Sequence, residues 1–162
     1  PRHPERGTPI AERLKDLGLN VAQRSLGTLP NERTDVYVAD TIGELGTLYA
    51  LSPIAFIGGS LVERGGQNPI EAVRHGVAVL TGPHWQNFRD AYRTLLRHQG
   101  AIEVVDAKSL AAAVTHLLNS PAEMANMRAG ATQALSTLSG ALEKTVATLL
   151  DYLPDKRLKR AS

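Results

Sequence analysis

At 162 residues, with 43% hydrophobic residues but only 4% aromatics, the chain can bury one core built mainly from Leu, Val, Ile and Ala. Its 18 basic and 16 acidic residues leave a net charge of +2, too balanced for a nucleic-acid binder. With no cysteine there is no disulfide framework, thiol nucleophile or thiolate metal site, which is compatible with the cytoplasm. No apolar run approaches the ~20 residues that span a bilayer, and no signal peptide is visible. The chain opens at Pro1 without Met, as a piece of a longer protein does.

Pro1-Arg2-His3-Pro4-Glu5-Arg6 reads as the loop after a first strand that the chain lacks. A helix is expected from about Pro9 to Leu17, stopped by Gly18, then a rather polar strand from Leu19 to Leu26. Val36 to Ala39 is a strand ending at Asp40, and Thr41-Ile42-Gly43-Glu44 opens a helix running to about Leu51. Ile54 to Ile57 is a strand, Asn68 to His75 a helix and Val77 to Leu80 a strand. Asn87 reads as the cap of a helix with Phe88, Ala91, Tyr92, Leu95 and Leu96 on one face, ended by Gly100. Ile102 to Val105 is the last strand, and Leu110, Val114, Leu117 and Leu118 stripe the following helix. From about Ala122 to Leu153 the pattern is all helix, with a break or bend expected at Gly140. Short β-rich runs alternating with helices predict an α/β fold, a doubly wound parallel sheet over residues 1–153. A short basic tail, 154–162, frays. The stripe Leu142, Val146, Leu149 and Leu150 has no evident partner and is expected to be disordered or buried between chains.

The most informative stretch runs from Gly58 to Glu71. An apolar strand enters two glycine pairs, Gly58-Gly59 and Gly65-Gly66. A helix then opens with Asn68 as N-cap, Pro69 at its first position and Glu71 three residues after the cap. Backbone N–H groups and the positive end of a helix attract an anion, and a carboxylate one turn in can accept from sugar hydroxyls. That combination points to a nucleotide or nucleotide-sugar. Asn-Pro-x-Glu is also a capping box, a device many helices use with no ligand at all. Ligands of doubly wound sheets bind at the carboxyl ends of the strands. Four loops share that edge: the opening loop, the Asp40–Glu44 turn, Gly58–Glu71 and Gly82–Asn87.

Arg2-His3-Pro4-Glu5-Arg6, Asp40-Thr41-Ile42-Gly43-Glu44-Leu45, Gly58-Gly59-Ser60-Leu61, Gly65-Gly66-Gln67-Asn68-Pro69-Ile70-Glu71 and Gly82-Pro83-His84-Trp85-Gln86-Asn87-Phe88 follow one another in this order. In this the chain resembles the C-terminal half of the 3-deoxy-D-manno-octulosonic acid (Kdo) transferases of lipopolysaccharide synthesis. The motifs cover residues 1 to 88. The resemblance implies the GT-B fold, two Rossmann-like domains facing a cleft, of which this chain is the half that binds the donor, CMP-Kdo. It implies a CMP site of Pro1, Arg2, Ile42, Gly43, Glu44, Asn68, Pro69, Ile70 and Glu71. Phosphate then meets the Gly59, Ser60 and Asn68 amides, while Glu71 accepts from ribose. Arg2 brings a planar fork for phosphate or carboxylate, with His3 beside it. His84, Gln86 and Asn87 lie over the Kdo sugar. Gly43 passes close to the cytidine moiety, and Glu44 either fixes its turn or accepts from the nucleotide.

The chain departs from the family at Ile42, where Met is more usual, and at Gln67, where His is more usual. The resemblance further implies transfer to a lipid A precursor without metal or cofactor. The acceptor site, membrane anchor and catalytic carboxylate belong to the other half, at the cytoplasmic face of the bacterial inner membrane. This chain alone is then a soluble binder with no catalytic residue.

Two other readings compete. Half of a nucleotide-sugar epimerase shares the GT-B architecture and prefers UDP, whereas a flavodoxin-like interaction module binds no nucleotide. A triad of Ser60, His84 and Asp40 lacks a nucleophile elbow. His75, His98 and His116 show no metal-ligand spacing and read as helix-surface residues.

Overall fold

The structure, a computed structural model, describes residues 3–152, without the side chains of residues 141–147 and 150–152 in its last helix. The chain divides into two compact units, Pro1–Leu48 and Tyr49–Ser162. Among the described residues five strands pair in parallel within two ladders, one of two strands and one of three. The α/β class and the parallel pairing agree with the sequence.

In the first unit, β1 (Val21–Gln23) pairs in parallel with β2 (Val36–Val38), Val21 opposite Val36. Helix α1 (Gly7–Asp16) packs on both, and Ala11, Ala22 and Val38 are buried. It begins before the expected Pro9, after a 3₁₀ turn over Pro4–Arg6. Proline is tolerated inside a first helical turn, where its missing N–H has no partner to lose. The long strand expected over Leu19–Leu26 is cut to three residues because Arg24–Leu26 turn into a 3₁₀ helix closed by Gly27. Helix α2 (Leu45–Leu51) starts only after Glu44, since Thr41–Gly43 form a bend.

In the second unit the ladder order is β3 (Ile54–Ile57), β4 (Ala78–Thr81), β5 (Ala101–Glu103). Alternate strand residues feed two cores. Ile57, Val79 and Ala101 pack on one face with Ala72 and Val73 of α3 (Ile70–Arg74) and Tyr92 and Leu95 of α4 (Arg89–Arg97). Ala78 and Leu80 pack on the other face with Leu117 of α5 (Ala107–Asn119). A sheet covered on both faces needs near-continuous apolar strands, which is why Ile54-Ala55-Phe56-Ile57 does not alternate with polar residues. Helix α6 (Pro121–Tyr152) places Met127 in one core and Ala131 and Ala134 in the other.

Helix α6 runs uninterrupted through Gly140, against the break expected there. The ~1 kcal/mol that glycine costs a helix interior relative to alanine is too little to break a run of good helix formers. Of the late apolar stripe, Leu149 is exposed, while the side chains of Leu142, Val146 and Leu150 lie outside the described residues, as does the tail 154–162. No helix among the described residues is long and apolar enough to cross a membrane.

Candidate functional site

The loops after β3 and β4 are tied to each other. Ser60 has no exposed surface; its hydroxyl donates to the Ile57 carbonyl at 2.6 Å and accepts the Gly82 N–H at 2.8 Å. The Ser60 carbonyl takes the His84 N–H at 2.9 Å. A side chain at Gly82 would run into the Ser60 carbonyl, so this crossing requires glycine. Gly66 has φ 71° and donates to the Gly59 carbonyl at 3.0 Å. A Cβ there would sit 3.1 Å from the His84 carbonyl oxygen, so both the left-handed backbone and the close approach select glycine.

Asn87 is not the expected helix cap. A 3₁₀ turn over Gln86–Phe88 comes first, and α4 starts at Arg89. Asn87 instead reaches across to the other loop, its amide donating to the Gly65 carbonyl at 3.0 Å and its Nδ2 to the Arg64 carbonyl at 3.2 Å. Tyr92 donates to the Gln67 carbonyl at 2.8 Å and stacks with Trp85, ring centroids 5.9 Å apart. Trp85 in turn donates from its indole to Glu103 at 2.8 Å.

This scaffold delivers the Asn68–Glu71 segment. The Asn68 Oδ1 accepts the Ile70 N–H at 3.0 Å, but α3 begins at Ile70 with Pro69 as its N-cap, so Asn68 lies one residue before the cap position expected of it and Pro69 is not the first helical residue. Pro69 is buried, Asn68 and Glu71 exposed, so the segment offers its polar groups outward.

The first unit carries a second polar cluster at the ends of β1 and β2. Asp40 is 2% exposed, and its carboxylate accepts the Gln23 Nε2 at 2.7 Å, the Ser25 hydroxyl at 2.7 Å and the Ser25 amide at 2.9 Å. The Ser25 hydroxyl bond and those from Gln23 and the Ser25 amide outweigh burial and hold Asp40 down at about 2. Arg24, between those two residues, grips Glu44 through Nε at 3.0 Å to both oxygens and Nη2 at 2.8 Å. The Thr41 hydroxyl donates to the same carboxylate. Arg24 and then Thr41 bring Glu44 to about 2. Glu44 is thus occupied within the protein, and it fixes a turn whose Ile42 is 83% exposed and whose Gly43 has φ 91°.

No family model matches the chain. It is 41% identical over 154 residues to a 3-deoxy-D-manno-octulosonic acid transferase of Haemophilus influenzae, covering 94% of this chain and 36% of that protein. To the enzyme of the same name from Bordetella pertussis it is 38% identical over 154 residues, again 94% and 36% of the two chains. Among solved structures, the C-terminal CMP-Kdo binding domain of WaaA from Acinetobacter baumannii matches with a TM-score of 0.81 at 34% identity, covering 83% of this chain and 70% of that one. The chain belongs to the 3-deoxy-D-manno-octulosonic acid transferase family. It spans about a third of the length of the curated relatives it matches.

Of the positions the family resemblance marks in this transferase-family chain, the structure brings together Gly59, Ser60, Asn68 to Glu71, His84, Gln86 and Asn87 on two cross-tied loops of the second unit. Ile42, Gly43 and Glu44 share one turn of the first unit. Pro1 and Arg2 lie outside the described residues; His3 is exposed, 3.7 Å from Glu5. Sequence reasoning missed Arg24, Gln23 and Ser25 as partners of the 40–44 turn, and Tyr92 and Asn87 as supports of the glycine loop. Hydrogen-bond partners 15–25 residues apart leave no periodic trace. The one available signal was a Gln-Arg-Ser triplet at a strand end, polar where a strand was expected to continue. Among the described residues no group of three or more His, Asp or Glu is placed to hold a metal ion.

Proposed function

We propose that this chain is the donor-binding portion of a Kdo transferase and holds CMP-Kdo at the ends of its strands. The observation that carries the reading is the match, at 34% identity and a TM-score of 0.81, to a CMP-Kdo binding domain. The phosphate lies on the amides of Gly59 and Asn68; Ser60, expected to join them, has no exposed surface and its hydroxyl is committed to Ile57 and Gly82, so it shapes the loop and takes no part. Exposed Glu71 accepts from the ribose; the Ile42–Gly43 turn belongs to the first unit. Glu44, gripped by Arg24, holds that turn in shape. His84 and Gln86 border the Kdo ring, with Asn87 as the brace of the glycine loop.

Chemically, this portion binds the leaving group and stabilises the charge that develops on its phosphate as the glycosidic bond breaks. The general base, the lipid A precursor acceptor and the inner-membrane attachment belong to the remainder of a GT-B enzyme, so the chain alone binds without transferring. Isothermal titration tests the reading: CMP binds, weakly because half the cleft is absent, and in preference to UDP. Equal or tighter binding of UDP would overturn it in favour of an epimerase half.

A further inference from the structure

Tyr92 has no exposed surface, and a buried phenol must place its O–H on an acceptor. The acceptor is the Gln67 carbonyl, 2.8 Å away and 25 residues earlier in the chain. Burial pushes the phenol up to about 12, with a hydrogen bond from Thr81 opposing, so the donor proton is retained throughout the neutral range. The Gln67 carbonyl belongs to the peptide that joins Gln67 to Asn68. No peptide among the described residues is cis, and across a trans peptide the C=O and the following N–H point in opposite directions. Holding the Gln67 oxygen on a core tyrosine therefore turns the Asn68 N–H away from the core, on the side where Asn68 is exposed. The Asn68 Oδ1 already accepts the Ile70 N–H. The same anchor seats the Gln67 side chain near Gly59, its Nε2 3.6 Å from where a Cβ on Gly59 would be.

We propose that Tyr92 is a positioning residue of the donor site: by holding the Gln67 carbonyl, its hydroxyl aims the Asn68 amide at the phosphate of a bound nucleotide. This rests on the placement of phosphate at the Gly59 and Asn68 amides. Tyr92 touches no ligand itself; it acts through the peptide plane, and it does so from an α4 position that helical periodicity marks only as core.

Tyr92→Phe keeps the ring and removes the hydroxyl. CMP and cytidine are titrated into the 162-residue chain and the variant, and ¹H–¹⁵N spectra follow the Asn68 amide. The expected result is CMP affinity about tenfold weaker in the variant, with cytidine, which lacks the phosphate, unchanged within about twofold. In the wild type CMP moves the Asn68 amide resonance downfield, and in the variant that shift shrinks. Leu117→Val, which trims the core on the opposite face of the sheet, lowers the melting temperature and leaves the CMP-to-cytidine ratio alone. A ratio unchanged by Tyr92→Phe overturns the positioning role while CMP binding by the wild type leaves the donor site standing. An Asn68 amide that CMP does not move in the wild type overturns the role whether or not the variant folds. A wild-type chain with no preference for CMP over cytidine removes the phosphate site and the positioning role together.

Discussion

Ser60→Ala removes one oxygen at the point where the loops after β3 and β4 cross. That oxygen donates to Ile57 at 2.6 Å and accepts from Gly82 at 2.8 Å, with no exposed surface at Ser60. Losing the serine's own bond costs about 1 kcal/mol, and stranding the buried Gly82 N–H costs about 1–3 kcal/mol more. Alanine fits the space otherwise, so the cavity contribution is small. The sum is about 3 kcal/mol, or a fall in melting temperature on the order of 10 °C for a chain of this size. Urea unfolding gives the free energy, and the chain's one tryptophan, Trp85, provides a fluorescence probe within the affected loop. The midpoint should fall with the urea slope unchanged, as expected when the native state is weakened without altering what unfolding exposes. A loss below about 0.5 kcal/mol would refute the reasoning, because it would mean that the Gly82 amide has another acceptor within reach.

Glu71→Gln should cost about 1.5–3 kcal/mol of CMP affinity by isothermal titration, because charge-assisted bonds to ribose are lost. It should take only ~0.5 kcal/mol from stability as the helix-start carboxylate goes. Unchanged affinity with a lower melting temperature would reduce Glu71 to a helix-start residue. Glu44 is lowered from 4.5 to about 2, so its ionised form stabilises the fold above about pH 4.5 and that contribution is lost as the pH falls toward 2. Arg24→Met should therefore make stability, measured by urea titration, fall less steeply over that interval than in the wild type. Asp40 contributes to the same acid limb in both proteins, so the difference reports on Glu44. Equal slopes would mean that water screens the Arg24–Glu44 pair.

The strands and the cores were legible because burial on both faces writes itself into composition. Ile54 to Ile57 was placed to the residue, and Val77–Leu80 within one residue of the observed Ala78–Thr81. The start of α3 was legible to within two residues through Asn68, whose side chain accepts the Ile70 N–H although the N-cap itself is Pro69. Asn87 shows the limit of that logic: the same residue type before an apolar-striped helix spends its amide on Arg64 instead. Asp106 shows the converse, a complete capping box with Ser109 at the start of α5 that went unread behind a strand expected to run on to Val105. Within the candidate site, the residues proposed to face a ligand announced themselves through glycines and a helix start. Those that hold them, Arg24, Asp40 and Tyr92, did not, because a hydrogen bond between distant positions depends on the fold and not on the pattern around either partner.

Helix α6 has a consequence for synthesis on the ribosome. Met124 and Met127 complete one face of the three-stranded sheet, and Ala131, Ala134 and Leu135 complete the other. Gly130 lies so close to the His98 carbonyl that no side chain fits between them. Translation delivers β3, β4 and β5 first, by Glu103, so a nascent chain that has released all three strands still presents apolar surface on both sides. Helices α3, α4 and α5 cover part of these faces, but α6 supplies the rest, and a ribosome that pauses before about residue 124 leaves sticky strand surface within reach of chaperones, proteases or a neighbouring nascent chain.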